Sequence, residues 1–282
     1  MYIPESQLLN VSDISINSNV QDNSNLLGFC NKTRIDTCGG SSALFLGLKL
    51  LSKISSRNIW LPAYLCNTVL KTVETLDLDI SFYDINKDLE PELDSLNIDS
   101  KDILLIVHYF GIMQPINKIK SYCVNRNIFL VEDCAHILPD LNINFQNRAG
   151  TFGDISIFSL RKQLPVQDGG LLVINTNNID LPGNSCSNKV VNIKKITLQI
   201  VENFFFIIGF INIHPLKIRL KKYFRKAGEN AKSNNKNYGI SYLSSFLLKH
   251  LCIKTNIQKK KENYKFLLDR IHDRKGVRVP FK

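Results

Sequence analysis

The sequence predicts an α/β fold with a mostly parallel central sheet and helices on its faces. Short apolar runs alternate with helix-like segments through the first two thirds of the chain, a pattern typical of parallel strands joined by helices. At 282 residues, 44% of them hydrophobic, the chain can bury a large core. Polar residues follow several of the apolar runs, and the carboxyl ends of parallel strands meet at one edge of a sheet. We therefore expect a functional site at that edge.

The individual elements are predicted from residue spacing and turn chemistry. A glycine-rich turn at residues 36–42 opens a helix at 43–52, because Leu44, Leu48 and Leu51 have helical spacing. Four strands are predicted at residues 58–61, 80–83, 103–107 and 128–131, with a helix at 117–123. Further strand-like segments lie on both sides of Lys162. These elements predict a large α/β domain at residues 1–180.

Beyond residue 175 the pattern changes to long helical stretches. They fall at residues 193–213, 216–225, 242–251 and 259–272, and they predict a mainly helical, incomplete C-terminal domain at 181–282. An apolar run at 204–211 is shorter than the about 20 residues that span a bilayer. With the basic stretch up to residue 226, it predicts either peripheral contact with an anionic membrane or a buried contact between subunits.

The net charge of +11 is unevenly distributed. Residues 1–141 hold 11 basic and 17 acidic side chains, whereas residues 142–282 hold 25 basic and 8 acidic ones. The basic half would attract phosphates or an anionic membrane, but no nucleic-acid-binding motif accompanies it, so we expect no nucleic-acid partner. The seven cysteines include no Cys-x-x-Cys pair and the N-terminus has no secretory signal. We expect a cytoplasmic protein without a disulfide framework or a metal site.

Lys162 is the first candidate for a chemical role. It lies between a polar turn and the pair Gly169 and Gly170, with apolar segments on both sides. An amine that attacks an aldehyde must be held in a fixed direction and partly shielded from water, and this setting supplies both. The alternative is a solvated surface lysine, which is the usual state of lysine in a turn.

Asp133 and His136 follow an apolar strand. An aspartate there can pair with a protonated ring nitrogen, which is what pyridoxal 5'-phosphate (PLP) needs in order to accept electrons from a breaking Cα–H bond. The alternative for Asp133 is a helix N-cap. His136 could donate a hydrogen bond to such a ring or to its phenolic oxygen, although a single histidine is more often structural.

The turn that contains Gly40, Ser41 and Ser42 is a candidate phosphate site. At the start of a helix it offers main-chain N–H groups, a favourable dipole and two hydroxyls. The alternative is that the serines are ordinary N-caps.

In chain order, these motifs resemble those of fold-type-I PLP enzymes. The glycine-serine turn, the strand with Asp-x-x-His, and Gly-Asp-x-x-x-Phe-Ser before a lysine and a glycine pair are most similar to the DegT/StrS family of sugar-nucleotide aminotransferases. The resemblance covers roughly residues 35–272 and is most specific at 131–170. It implies the fold-type-I architecture, PLP as cofactor, and a homodimer with shared active sites.

The resemblance also implies a role for each matching residue. Lys162 would bind PLP covalently and then transfer protons, Asp133 would pair with the pyridine nitrogen, and His136 would contact the oxygen side of the ring. The phosphate ligands would be Gly40, Ser41, Ser42 and Ser159. Asn237 would reach the phosphate of the cofactor in the neighbouring subunit.

Several positions depart from the family pattern. Two residues separate Ser159 from Lys162, where the family usually has four. The family's ring-stacking aromatic falls near Cys66, with Tyr64 as the available substitute. Gly239 occupies the position of a family arginine, and the chain stops where the sheet of the small C-terminal domain would begin. We therefore expect altered substrate contacts and an incomplete C-terminal domain.

The expected function is transfer of an amino group from an amino acid, glutamate being the expected donor, to a keto sugar nucleotide. The resemblance places this reaction in the synthesis of a bacterial surface polysaccharide, an O-antigen or a capsule. Lysine at position 162 argues against the family's dehydratases, which have histidine there. The alternative is a catalytically impaired protein of the same fold that binds a partner or the membrane in that pathway.

Overall fold

The computed structural model describes residues 28–29, 32–138, 144, 147–176, 179, 239–251 and 253–271, without the side chains of 254 and 255. Several predictions lie outside the described residues. They are the role of Asn237, the helices at 193–213 and 216–225, and the membrane or subunit contact at 204–226.

The described residues form one central sheet of seven strands in the order β1-β7-β6-β5-β4-β2-β3. The strands are β1 Thr33–Thr37, β2 Asn58–Pro62, β3 Asp79–Tyr83, β4 Ile103–Val107, β5 Phe129–Asp133, β6 Ile155–Ser159 and β7 Gly170–Ile174. All neighbouring strands are parallel except β7, which runs antiparallel to both β1 and β6. The prediction of a mostly parallel sheet is confirmed.

Six α-helices are described around this sheet. They are α1 Gly40–Leu51, α2 Asn67–Val73, α3 Ile116–Arg126, α4 Leu160–Gln163, α5 Tyr242–His250 and α6 Ile253–Ile271. The helix predicted at 43–52 is confirmed as α1, which begins three residues earlier at Gly40. None of the described helices combines the length and the apolar character that crossing a membrane requires.

The sheet is buried on both faces, which explains its continuous apolar strands. All five residues of β4 are buried, and they alternate between two cores. On one face, Leu105 packs in the same core as Leu44 and Leu48 of α1. On the other face, Leu104 packs with Ile119 of α3. Helices therefore cover both faces, as predicted.

The last two described helices, α5 and α6, pack on the second face of the sheet. Leu247 and Leu248 of α5 lie in one apolar cluster with Phe158 of β6. The start of α5 is also bonded to the segment before β7, because the Asp168 carboxylate accepts a hydrogen bond from the Ser241 hydroxyl at 2.8 Å and from its main-chain N–H at 3.2 Å. The division of the chain at residue 180 stays a prediction.

Three local predictions need correction. β1 was not predicted, and its last two residues fall in the predicted glycine-rich turn at 36–42; this polar edge strand forms because it pairs along its whole length with β7. β5 runs to Asp133 rather than ending at Val131, since Asp133 pairs with both Val107 and Ile157. Lys162 lies on the short helix α4, which directly follows β6, rather than in a turn.

Candidate active site

The predicted site residues come from distant segments that end at the same edge of the sheet. Strand register aligns Thr37 with Gly170 and Gly170 with Ser159, so the ends of β1 and β6 lie side by side with the start of β7. On the other side of β6, Asp133 lies at the end of β5. The candidate residues therefore lie at one carboxyl edge of the sheet, as expected.

Lys162 contacts His136 at this edge. Its side-chain nitrogen Nζ lies 3.2 Å from Nε2 of His136. An ammonium group only donates hydrogen bonds, so we assign His136 Nε2 as the acceptor and place the ring proton on Nδ1. Lys162 is exposed, which differs from the partial shielding expected from its apolar neighbours. The reason is that α4 is a four-residue helix in which only Leu160 is buried.

The buried ring nitrogen Nδ1 of His136, beside Lys162, has no hydrogen-bond partner among the described residues. Burial lowers the pKa of its imidazole, and the charge of Lys162 acts in the same direction, while Asp133 opposes them. The neutral ring stacks near the Phe110 ring, with centroids 6.2 Å apart and an interplanar angle of 19°. A buried polar atom without a partner is uncommon and is a natural contact point for a ligand.

Asp133 is a buried carboxyl group at the end of β5. Burial raises its pKa, although the main-chain N–H of Ala135 and the charge of Lys162 act against this. Ala135 donates that hydrogen bond to Oδ1 at 2.9 Å. Among the residues the structure describes, no ion pair involves Asp133. A cationic ligand such as a protonated ring nitrogen would stabilise the ionised form of this buried carboxyl group.

The start of α1 faces the end of β6. Gly39 precedes the helix in an extended conformation without a side-chain cap. A Cβ atom added at Gly40 would lie 3.2 Å from Cβ of Ser159, which places that buried serine against the first turn of the helix. Ser41 is exposed, whereas Ser42 is buried with its hydroxyl 3.0 Å from Sγ of Cys38. The positive end of a twelve-residue helix dipole thus meets a hydroxyl from β6.

The two glycine motifs pack directly on one another. A Cβ atom added at Gly170 would lie 2.2 Å from the carbonyl carbon of Gly39, so no larger residue fits there. Gly169 has a φ of +127°, and its N–H bonds to the carbonyl of Cys38 at 3.0 Å. These contacts join the start of β7 to the turn before α1 and fix the position of the helix start.

Glu132 lies in β5 directly before Asp133, and the structure makes it the centre of a hydrogen-bond network that the sequence did not predict. His108 Nε2 donates to its carboxylate at 3.0 Å, and the N–H of Gln114 donates to Nδ1 of His108 at 3.1 Å. Further donors to Glu132 are the N–H groups of Gly150, Phe152 and Gly153 and the hydroxyl of Ser156. The sequence signal was a charged residue inside an apolar strand.

The Glu132 network is better suited to structure than to metal binding. Donor atoms of His108, Glu132 and Cys134 lie within 4.8 Å of one another. However, both nitrogens of His108 and both oxygens of Glu132 already have protein partners. Burial raises the pKa of Cys134 well above its usual range, so its thiol stays protonated. A metal ion would have to displace several buried hydrogen bonds.

A group of aromatic side chains lies next to the Lys162–His136 contact. The Tyr109 hydroxyl donates to the Tyr64 carbonyl at 2.7 Å, and the two rings lie 5.6 Å apart. Phe110 has a φ of +54° and is 64% exposed. Cys66 is exposed as well; burial would raise its pKa, but hydrogen bonds with Thr68 and the charge of Lys162 lower it overall. Tyr64 and Phe110 offer flat apolar surface beside the site.

Comparison with known proteins agrees with this geometry. The profile described as the DegT/DnrJ/EryC1/StrS aminotransferase family matches residues 24–187, more than half of the chain. The chain belongs to this family. Its matched region contains all the site residues described above.

Two curated relatives in this comparison are GDP-perosamine synthases. The one from Vibrio cholerae is 26% identical over 152 residues, which cover 50% of this chain and 39% of that protein. The one from Escherichia coli O157:H7 is 32% identical over 79 residues, which cover 27% of this chain and 21% of that protein. The match thus spans less than half the length of either relative.

Solved structures show the same fold at low identity. Helicobacter pylori PseC, an aminotransferase involved in the biosynthesis of pseudoaminic acid, superposes with a TM-score of 0.50 at 18% identity, over 62% of this chain and 52% of that one. AtS13 from Actinomadura melliaura gives a TM-score of 0.50 at 19% identity, over 62% and 54%. These likenesses confirm the fold-type-I architecture that the resemblance implied.

Proposed function

We propose that the chain is a PLP-dependent aminotransferase that moves an amino group from glutamate to a keto sugar nucleotide. The observation that carries this proposal is the convergence of Lys162, His136 and Asp133 at the carboxyl edge of the sheet. Membership of an aminotransferase family gives the reaction class. The amino donor, the sugar and the pathway, synthesis of an O-antigen or a capsule, are part of the proposal.

The residues at this edge fit PLP on three separate points. The exposed amine of Lys162 can attack an aldehyde. The buried carboxylate of Asp133, without an ion pair in the described residues, can hold a protonated ring nitrogen. The start of α1, with Ser159 against Gly40, can hold a phosphate. When bound, PLP supplies an electron sink for the substrate's Cα–H bond cleavage.

The remaining residues have positioning roles in this proposal. His136 Nδ1 would donate its free hydrogen bond to the oxygen side of the ring, which satisfies the orphan donor. Gly40, Ser41, Ser42 and Ser159 would surround the phosphate. Asn237 and the homodimer that it implies remain proposals, because Asn237 lies outside the described residues.

Lys162 would also act in proton transfer when the cofactor is bound. Its amine, anchored on α4 at the sheet edge, could then remove and return a proton at the substrate carbon. Neutral His136 accepts a hydrogen bond from that amine and keeps it pointed at the site. The exposed surfaces of Tyr64 and Phe110 lie where a larger substrate could pack.

The relatives named GDP-perosamine synthase suggest which acceptors to test first. A keto sugar linked to GDP is the leading acceptor, followed by keto sugars on other nucleoside diphosphates. The test supplies nitrogen-15 glutamate and each acceptor to the purified chain with PLP and measures label in the sugar product by mass spectrometry. The proposal requires a labelled amino sugar with wild type and none with Lys162→Ala.

The same assay separates the proposed enzyme from a binding protein. Formation of 2-oxoglutarate from glutamate reports the first half-reaction without any sugar. If PLP binds but no amino acid donates its nitrogen and no acceptor is converted, the catalytically impaired alternative is favoured and the proposed activity is wrong.

A further inference from the structure

A lysine of the last described helix is bonded to the segment that carries Lys162. Lys260 Nζ donates to the main-chain oxygen of Gln163 at 2.5 Å and to its side-chain Oε1 at 3.0 Å. Gln163 is the last residue of α4 and directly follows Lys162. Lys260 is partly buried, and this desolvation lowers its pKa. Ninety-seven positions of sequence separate the two partners.

The contact continues from Gln163 toward the buried carboxylate. Gln163 Nε2 donates to the Ala135 carbonyl at the long distance of 3.4 Å. The N–H of Ala135 donates to Asp133 Oδ1 at 2.9 Å. One chain of hydrogen bonds therefore runs from α6, past the residue next to Lys162, to Asp133.

A helix as short as α4 depends on contacts from outside. Four residues cannot form a stable helix alone. The conformational entropy lost when the first turn forms exceeds the stabilisation from the hydrogen bonds of one turn. The carbonyl of the last residue has no partner within the helix, and a cation at a helix C-terminus is favourable. Lys260 supplies both the donor and the charge. A partly desolvated ammonium in turn needs the two Gln163 oxygens to offset its lost hydration.

We propose that Lys260 is a positioning residue for Lys162: its bonds to Gln163 fix the end of α4, and with it the direction of the reactive amine. This inference rests on the proposed function, since Lys162 must react with a carbonyl for its direction to matter. α6 then acts as part of the active-site scaffold although it contributes no group to the reaction.

The test measures how fast Lys162 reacts, rather than turnover. The full chain without cofactor is mixed with PLP and cyanoborohydride, and mass spectrometry follows the modified Lys162 peptide over time. The exposed Lys265 is quantified in the same sample as an internal reference, and the exposed Lys249 takes this role in the Lys265→Met variant. Lys260→Met keeps the apolar stem but removes the donors, Lys260→Arg keeps charge and donors, and Lys265→Met is the matched control on the same helix.

We expect Lys260→Met to slow modification of Lys162 on the order of tenfold, as misplacement of a reacting group does. Lys260→Arg should recover most of the rate, and Lys265→Met should leave it unchanged. Gln163→Ala should slow the reaction as well, and combining it with Lys260→Met should add little, because both remove the same contact. Circular dichroism at the reaction temperature shows that each variant is folded.

Two results would overturn the inference in different ways. If wild type is modified selectively at Lys162 and folded Lys260→Met reacts equally fast, Lys260 has no positioning role while the proposed function stands. If wild-type Lys162 reacts no faster than Lys265, both the inference and the proposed function fail. If Lys260→Met does not fold, Gln163→Ala becomes the deciding variant. An unchanged rate of Lys162 modification in Gln163→Ala would then reject the inference.

Discussion

Lys162 Nζ lies 3.2 Å from His136 Nε2, and this contact joins the helix after β6 to the turn after β5. The two residues meet because β5 and β6 are parallel neighbours that end at the same edge. Burial and the charge of Lys162 lower the pKa of His136, so its ring is neutral and can accept the hydrogen bond. The contact therefore fixes the amine while leaving it at the surface, where a carbonyl compound can reach it.

Asp133→Asn should slow the reaction without lowering the stability of the fold. Burial raises the pKa of Asp133, which means that the folded protein disfavours the ionised carboxylate. Ionisation of Asp133 therefore lowers the unfolding free energy of wild type at neutral pH. Asparagine has no charge and keeps an oxygen for the N–H of Ala135. We expect an unfolding free energy at pH 7 equal to or above that of wild type, measured in urea, and a half-reaction with glutamate slower by roughly two orders of magnitude. The exposed Asp88→Asn control should change neither quantity, and a marked loss of stability in Asp133→Asn would contradict this account.

Glu132→Gln should lower stability in a pH-dependent way. Burial alone would raise the pKa of Glu132, but bonds from His108 and main-chain N–H groups lower it overall. A lowered acid pKa gives stability that is present above the unfolded value of 4.5 and is lost as pH falls through the folded pKa. We expect Glu132→Gln to cost about 3 kcal/mol at pH 7, with the difference from wild type shrinking below about pH 4.5. Urea unfolding between pH 7 and pH 3 measures it, and a difference that stays constant down to pH 3 would show that the charge of Glu132 is unimportant.

Gly170→Ala should destabilise the junction between the two glycine motifs. Its Cβ would lie 2.2 Å from the carbonyl carbon of Gly39, so the main chain would have to shift. We expect a loss of about 2–3 kcal/mol in unfolding free energy, together with weaker PLP binding. Gly39→Ala is the matched control, because its added Cβ meets nothing within 4 Å and its φ of 177° suits any residue. Equal stability of the two variants would refute the packing argument.

The sequence predicts well the elements whose signal is local. The buried strand β4 is a continuous apolar run, β5 begins with three apolar residues, and α1 has apolar residues at helical spacing. β1 was missed because it is a polar edge strand whose existence depends on β7. No local pattern distinguishes it from a loop.

The site itself is predictable only in part, for the same reason. Residue type and position after a strand identify Asp133 and Lys162, but their proximity depends on which strands are neighbours in the sheet. The bonds of Glu132 come from a loop and from His108 after another strand. In the run Lys259, Lys260 and Lys261, nothing in the sequence tells which lysine bonds to Gln163; only the docking of α6 decides it.

The most direct test of the central claim is the absorbance spectrum of the purified chain with PLP, recorded for wild type and for Lys162→Ala, followed by borohydride reduction and peptide mass analysis. The account predicts a visible band that requires Lys162 and a PLP-sized mass increase on the peptide that contains it. A well-folded wild type without the band, or an unchanged band in Lys162→Ala with the mass increase on another lysine, would contradict the assignment of this edge as a PLP site.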